Sequence, residues 1–179
     1  MRAELREKWV YPAITGALYA ALTMLLAPVS YGALQFRLSE ALCVLPFFLP
    51  YTSVGLFLGC AIANTLSAAG ILDIVFGSLA TLGAALCTAA LGRKARRGEK
   101  ATFPVRIAAC MSPVLWNGVI VGAVLALSFT PGEFRGGFWL FGGQVALGEL
   151  GVMLLLGLPL LSLLPRALRL PTDTKGSGT

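Results

Sequence analysis

The chain has 179 residues, 57% of them hydrophobic and only 12% charged, with a formal net charge of +6 and a mean hydropathy of +0.82. That composition excludes a soluble globular domain and describes an integral membrane protein. Histidine is absent and there is no G-x-x-x-x-G-K-[ST] phosphate loop, so Ser-His or Cys-His catalysis and ATP hydrolysis by this chain alone are excluded too.

The charged start "MRAELREK" leads into an apolar run without a small-residue cleavage site, so the first helix is expected to stay in the mature chain. Apolar stretches follow near residues 9 to 28, 36 to 50, 52 to 69, 72 to 91, 104 to 129 and 140 to 165. They are continuous rather than alternating, which argues against a barrel, and a helix needs about 20 residues to cross the hydrocarbon core. The expected fold is therefore all-α, a single bundle of six transmembrane helices over residues 1 to 179. In the first span, "YPAITGALYAALTMLLAP", Ala13, Ala17 and Ala21 recur every four residues beside a parallel row of Gly16 and Ala20. Such rows let helices approach closely, either inside the bundle or against a partner. Between the second and third spans, "PFFLPYTS" reads as a tight uncharged connection.

Cations set the orientation, because short Lys/Arg-rich loops stay cytoplasmic. They gather in "RAELREKW", in the loop of residues 92 to 104 containing "GRKARRGEK", and in the tail of residues 166 to 179. With six spans all three fall on one side, so both termini are expected in the cytoplasm. Anionic lipid headgroups, not nucleic acid, are the partner this charge implies. Cys43, Cys60, Cys87 and Cys110 lie within the spans with no C-x-x-C spacing, which reads as buried thiols rather than a zinc site. No cofactor is expected.

The polar residues inside the spans are unevenly placed. At 1.5 Å of rise per residue, Arg37 and Glu40 open the second span at its outer end. Asn64, Asp73 and Gln144 also lie near outer ends, while Asn117 and Glu149 sit close to the midplane. The cytoplasmic half has no comparable charge, so the pattern describes a pocket open only to the outside, unlike a channel's continuous polar path. Several of these residues also have purely structural uses. Arg37 and Glu40, three apart, can neutralise each other; Asp73 can cap a helix; Asn64 and Asn117 can bond between helices. Glu149 has no nearby cation in its own span, and a buried carboxylate without compensation points to function. Trp116 is too deep for an interfacial belt and could stack on a flat ligand, whereas Trp139 fits the belt; Tyr31 and Phe36 are further anchor candidates.

Together, "GALQFRLSEALCVLPFF", "GLFLGCAIAN" and "DIVFGSLATLGAAL" resemble the QueT family, proposed queuosine-precursor substrate-binding subunits of energy-coupling-factor (ECF) transporters. The resemblance covers residues 13 to about 150. It implies a six-helix S-component that binds a 7-deazaguanine (preQ1, preQ0, queuine or the nucleoside) in the cell membrane of a prokaryote. Its implied partners are a transmembrane coupling subunit and two ATPases. By position, the family's polar stretch corresponds to Arg37 and Glu40, then Asn64, Asp73 and Asn117. The resemblance also assigns the row Ala13, Ala17 and Ala21 to docking on the coupling subunit.

Such a ligand offers an N1–H and an exocyclic amine that suit a carboxylate, Glu149 or Glu40, and a carbonyl that suits Arg37 or an asparagine. Nothing in the sequence separates the four ligands. Other classes are a different vitamin-like substrate, a stand-alone secondary transporter or channel, and a membrane enzyme; the apolar cytoplasmic half and the missing histidines argue against the last two.

Overall fold

A computed structural model of the chain describes residues 2 to 32, 34 to 99 and 101 to 167. All regular structure among them is helical. Helix α1 (Arg2–Leu25) is followed by the single turn α2 (Ala27–Ser30) and then by a 3-10 segment, Leu38–Phe47. Next come α3 (Thr52–Ala63), extended by a 3-10 turn at Asn64–Leu66, and a π-helical turn, Asp73–Gly77, that leads into α4 (Ser78–Leu91). Helix α5 (Phe103–Phe129) precedes α6 (Phe134–Val152), which passes through a second π turn, Met153–Gly157, into α7 (Leu158–Ala167). The residues 166 and 167 belong to α7, while the rest of the expected basic tail lies outside the described residues.

Three continuous helical stretches, Asp73–Arg97, Phe103–Phe129 and Pro131–Pro165, are long and apolar enough to cross a membrane, and Leu38–Phe47 and Thr52–Leu66 are shorter apolar helices. The Leu38–Phe47 segment departs from the α-helix expected there. Runs of 3-10 helix longer than three or four residues are uncommon, but the tighter winding rises about 2.0 Å per residue against 1.5 Å. Its ten residues therefore reach about 20 Å, where an α-helix would reach about 15 Å.

Two glycine seams draw the helices together. Along α1 and α3, a Cβ added at Gly16 would lie 2.7 Å from the Gly55 carbonyl, one at Gly55 would run into the Pro12 carbonyl, and one at Gly59 into that of Gly16. Along α5 and α6, a Cβ at Gly142 would lie 2.9 Å from the Gly118 carbonyl. In lipid, apolar side chains gain little by leaving one greasy surface for another, so close backbone contact is what holds such pairs. The two small-residue rows of α1 part company here. Gly16 and Ala20 are buried, while Ala13, Ala17 and Ala21 are exposed.

The two ends of the bundle differ. Toward the end that carries the basic loop, Val44, Phe47, Ala109, Cys110, Met153 and Leu164 form an apolar core, and Arg96 of the loop donates to the Phe47 carbonyl at 2.7 Å. The opposite end of the 3-10 segment begins at Arg37, among the buried charges.

Candidate binding site

Four elements converge on those charges: the 31–37 loop with the start of the 3-10 segment, the α3–α4 junction, α5 and α6. Arg37 precedes the first 3-10 turn with extended backbone, so its side chain leaves the helical spacing that would set it beside Glu40. It pairs instead with Asp73, Nη2 to Oδ2 at 3.2 Å, both side chains fully withdrawn from the surface. The guanidinium also lies 5.3 Å from the centre of the Tyr31 ring, and Tyr31 donates to the Ala63 carbonyl at 2.6 Å. Asp73 thus does not act as a helix cap. It lies inside the π turn without a side-chain capping bond, and Asn64 donates to its backbone carbonyl at 2.8 Å.

Glu40 is held from three directions. Tyr19 of α1 donates to Oε1, Thr81 of α4 donates to the same oxygen at 3.1 Å, and the Cys43 thiol reaches Oε2 at 3.0 Å. Both carboxylate oxygens are thereby partnered. Glu149 of α6 differs. Asn117 of α5 donates to its Oε1 at 2.9 Å, but among the described residues Glu149 Oε2 has no hydrogen-bond partner, and neither do Asn117 Oδ1, Asn64 Oδ1, Asp73 Oδ1 and Arg37 Nε. A buried polar group left unsatisfied costs roughly 1 to 3 kcal/mol, so such a set in one neighbourhood needs a reason.

These orphaned atoms belong to one region. Arg37 and Glu40 both lie near enough to act on the Glu149 carboxyl electrostatically. The 34–36 loop crosses α6 beside Glu149, where a Cβ at Gly148 would run into the Leu34 carbonyl and one at Gly151 would lie 2.9 Å from the Phe36 ring. Phe36 and Tyr31 are half-buried, the one against Gly151 and the other against Arg37. Within this loop Gln35 has φ +44°, a left-handed conformation that costs a residue with a Cβ roughly 1 to 2 kcal/mol. Its side chain is buried with Oε1 unpartnered.

The remaining sequence candidates stand apart. Trp116 is 38% exposed; its ring lies over Gly83 of α4 and its indole N–H points to Cys87 Sγ at 3.4 Å, on the α4–α5 seam. Gln144 is half-buried on α6, above Glu149 in chain order. Trp139 is exposed and meets Phe138 edge-on. Sequence reasoning overlooked Tyr19, Gln35 and Thr81. Gln35 carried a signal, being a polar residue two positions from Arg37 in the same apolar run. Tyr19 and Thr81 carried none, because either is common on a membrane helix and only their shared partner marks them.

Among the described residues, the cluster brings together buried hydrogen-bonding groups that lack a partner. A charged, partly unsatisfied cluster sealed on one side by an apolar core is suited to taking up a small polar molecule. Comparison with known proteins agrees. The family model described as QueT transporter matches residues 9–166. A curated protein of Lactococcus lactis subsp. cremoris (strain MG1363), the queuosine precursor transporter QueT, is 43% identical over 72 residues, which are 39% of this chain and 42% of that protein. No solved structure matches the chain. With the family model spanning nearly all of the helical bundle, the chain belongs to the QueT transporter family, a family of transporters and not of enzymes.

Proposed function

We propose that the chain is the substrate-binding membrane subunit of an ECF-type importer that captures a queuosine precursor or related 7-deazaguanine from outside the cell. The observation that carries this reading is the buried pair Asn117, midway along α5, and Glu149, near the C-terminal end of α6, with Glu149 Oε2 and Asn117 Oδ1 both unpartnered among the described residues. The N1–H and exocyclic amine of a deazaguanine are adjacent donors that suit acceptors of this kind, and its carbonyl suits the unpartnered Arg37 Nε. Support also comes from the Lactococcus relative's name.

Uptake in this reading needs partners. The chain lacks an ATPase motif, so ATP hydrolysis falls to two ATPase subunits acting through a transmembrane coupling subunit. The exposed row Ala13, Ala17 and Ala21 is the docking face, in a prokaryotic plasma membrane with six spans and both termini cytoplasmic. ATP-dependent uptake of labelled 7-deazaguanine by cells expressing the chain with its coupling module tests this. Ala17→Trp should abolish uptake and co-purification with the module while leaving ligand binding by the isolated chain intact. Uptake without any coupling subunit would point instead to a stand-alone secondary transporter. In whole cells an impermeant thiol reagent should label a cysteine placed at Gly132 but not one at Glu99, and the reverse would overturn the outward orientation.

A further inference from the structure

Away from the charged cluster, α5 and α6 form a groove of about 250 Å³ on the surface of the bundle. Its base is the seam where Gly118 and Gly142 bring the two backbones together, and its walls include the exposed side chains of Leu115, Val119 and Trp139. No charged side chain lines it. Both helices are long and apolar enough to cross a membrane, so the groove opens onto the surface that hydrocarbon covers. It is smaller than the roughly 300 to 1,000 Å³ of pockets that enclose compact ligands, and its shape suits an extended chain laid along the helices.

Gly143 does not fit the packing of the chain itself. A Cβ at Gly142 would press on the Gly118 carbonyl, so the helix contact requires glycine there, but a Cβ at Gly143 would meet nothing within 4 Å among the described residues. A glycine inside a helix costs about 1 kcal/mol relative to alanine. What the bare Gly143 keeps open is the groove it lines.

The groove has a charged end. Arg135 precedes Trp139 by four residues, one turn and about 6 Å of rise along the same face of α6. It is exposed and makes no ion pair among the described residues. The nearest acid in sequence, Glu133, stands two positions away in the 3-10 turn before the helix, a spacing that does not set side chains face to face. A tryptophan exposed at the end of a spanning helix settles where hydrocarbon gives way to headgroups, and a cation one turn beyond it lies among the phosphates.

We propose that this groove is a phospholipid site, with one acyl chain lying along α5 and α6 over Gly143 and the phosphate held by Arg135. A free anion would use the arginine and not the groove, and a wholly apolar molecule would use the groove and not the arginine; a phospholipid uses both. The site lies at the opposite end of α5 from the basic loop, and it does not depend on what the buried charges bind.

Of the three tryptophans in the chain, Trp139 is the one that lines the groove, which supplies a readout. The full chain carrying Trp9→Phe and Trp116→Phe, purified in a neutral detergent, is titrated with phosphatidylglycerol brominated on its acyl chains. Trp139 emission should be quenched along a saturable curve that ends at one lipid per chain. Gly143→Leu fills the groove in space that no other described residue occupies and should remove the saturable phase. Arg135→Gln should raise its midpoint about fivefold, the worth of one arginine at a lipid surface. Native mass spectrometry of the chain with all three tryptophans repeats the comparison without those substitutions: the parent should retain one phosphatidylglycerol and Gly143→Leu none. Quenching that rises in proportion to lipid without saturating, or a saturable phase unchanged in Gly143→Leu, would overturn the site. A dimer that shields Trp139 from the brominated lipid would overturn it too, by giving the groove to a second copy. An unmoved midpoint in Arg135→Gln would overturn the phosphate assignment.

Discussion

Glu40 and Glu149 are two buried carboxylates in one bundle, and they are treated in opposite ways. Glu40 receives hydroxyls from Tyr19 and Thr81 and the thiol of Cys43, contributed by α1, α4 and its own 3-10 segment. Glu149 receives one amide hydrogen and keeps an oxygen free. A satisfied buried charge ties elements together, and removing it leaves its donors stranded. A half-satisfied one is a standing cost that a bound ligand can relieve. By this measure Glu40 belongs to the architecture of the bundle, and the proposed ligand contact falls to Glu149.

The sharpest way to break the comparison is to strip the cation that both halves share. Arg37→Met leaves Asp73 as a lone buried charge, and thermal unfolding in detergent should show a loss of about 3 to 5 kcal/mol. Adding Asp73→Asn should recover much of that loss, because the uncompensated charge goes with it. Next in size, Glu40→Ala should cost about 2 to 4 kcal/mol by stranding the Tyr19 and Thr81 hydroxyls, whereas Glu149→Gln should unfold within about 1 kcal/mol of the parent, since it removes a buried charge without changing shape. Thr81→Val isolates a single bond of the Glu40 network and should cost about 1 kcal/mol in the same assay. Smallest of all, Gln35→Asn suits the left-handed backbone better but withdraws the side chain by one methylene. Stability should hold or rise by a few tenths of a kcal/mol on the scale of the left-handed penalty, while ligand affinity falls by roughly two- to tenfold, part of one hydrogen bond.

Much of the bundle was legible because membrane helices announce themselves by unbroken apolar runs, and the breaks between them at Pro50, Gly70 and the basic loop are where the helices end. The 3-10 winding of Leu38–Phe47 was not legible, since hydrophobicity along a short buried segment does not report its pitch. The same limit governs the charges. That Arg37, Asp73 and Glu149 are costly in lipid could be read from composition alone, but Arg37's partner could not: helical spacing proposes Glu40, three residues away, and the observed partner is 36 positions along the chain. The two rows of α1 were visible as rows, yet which of them turns inward depends on Gly55 and Gly59 of another helix. Trp116 is the reverse case, a residue whose depth suggested a stacking role and whose ring lies over Gly83 on the α4–α5 seam.

The central claim is that Glu149, and not Glu40, is the carboxylate offered to the ligand. Isothermal titration of the purified chain with 7-aminomethyl-7-deazaguanine, run in parallel on Glu149→Gln and Glu40→Gln, tests it most directly. Glu149→Gln should weaken binding by about 1.5 to 3 kcal/mol, roughly 10- to 100-fold, and Glu40→Gln should stay within about threefold of the parent, well under one such bond. Parental affinity in Glu149→Gln, or the larger loss in Glu40→Gln, would contradict the account.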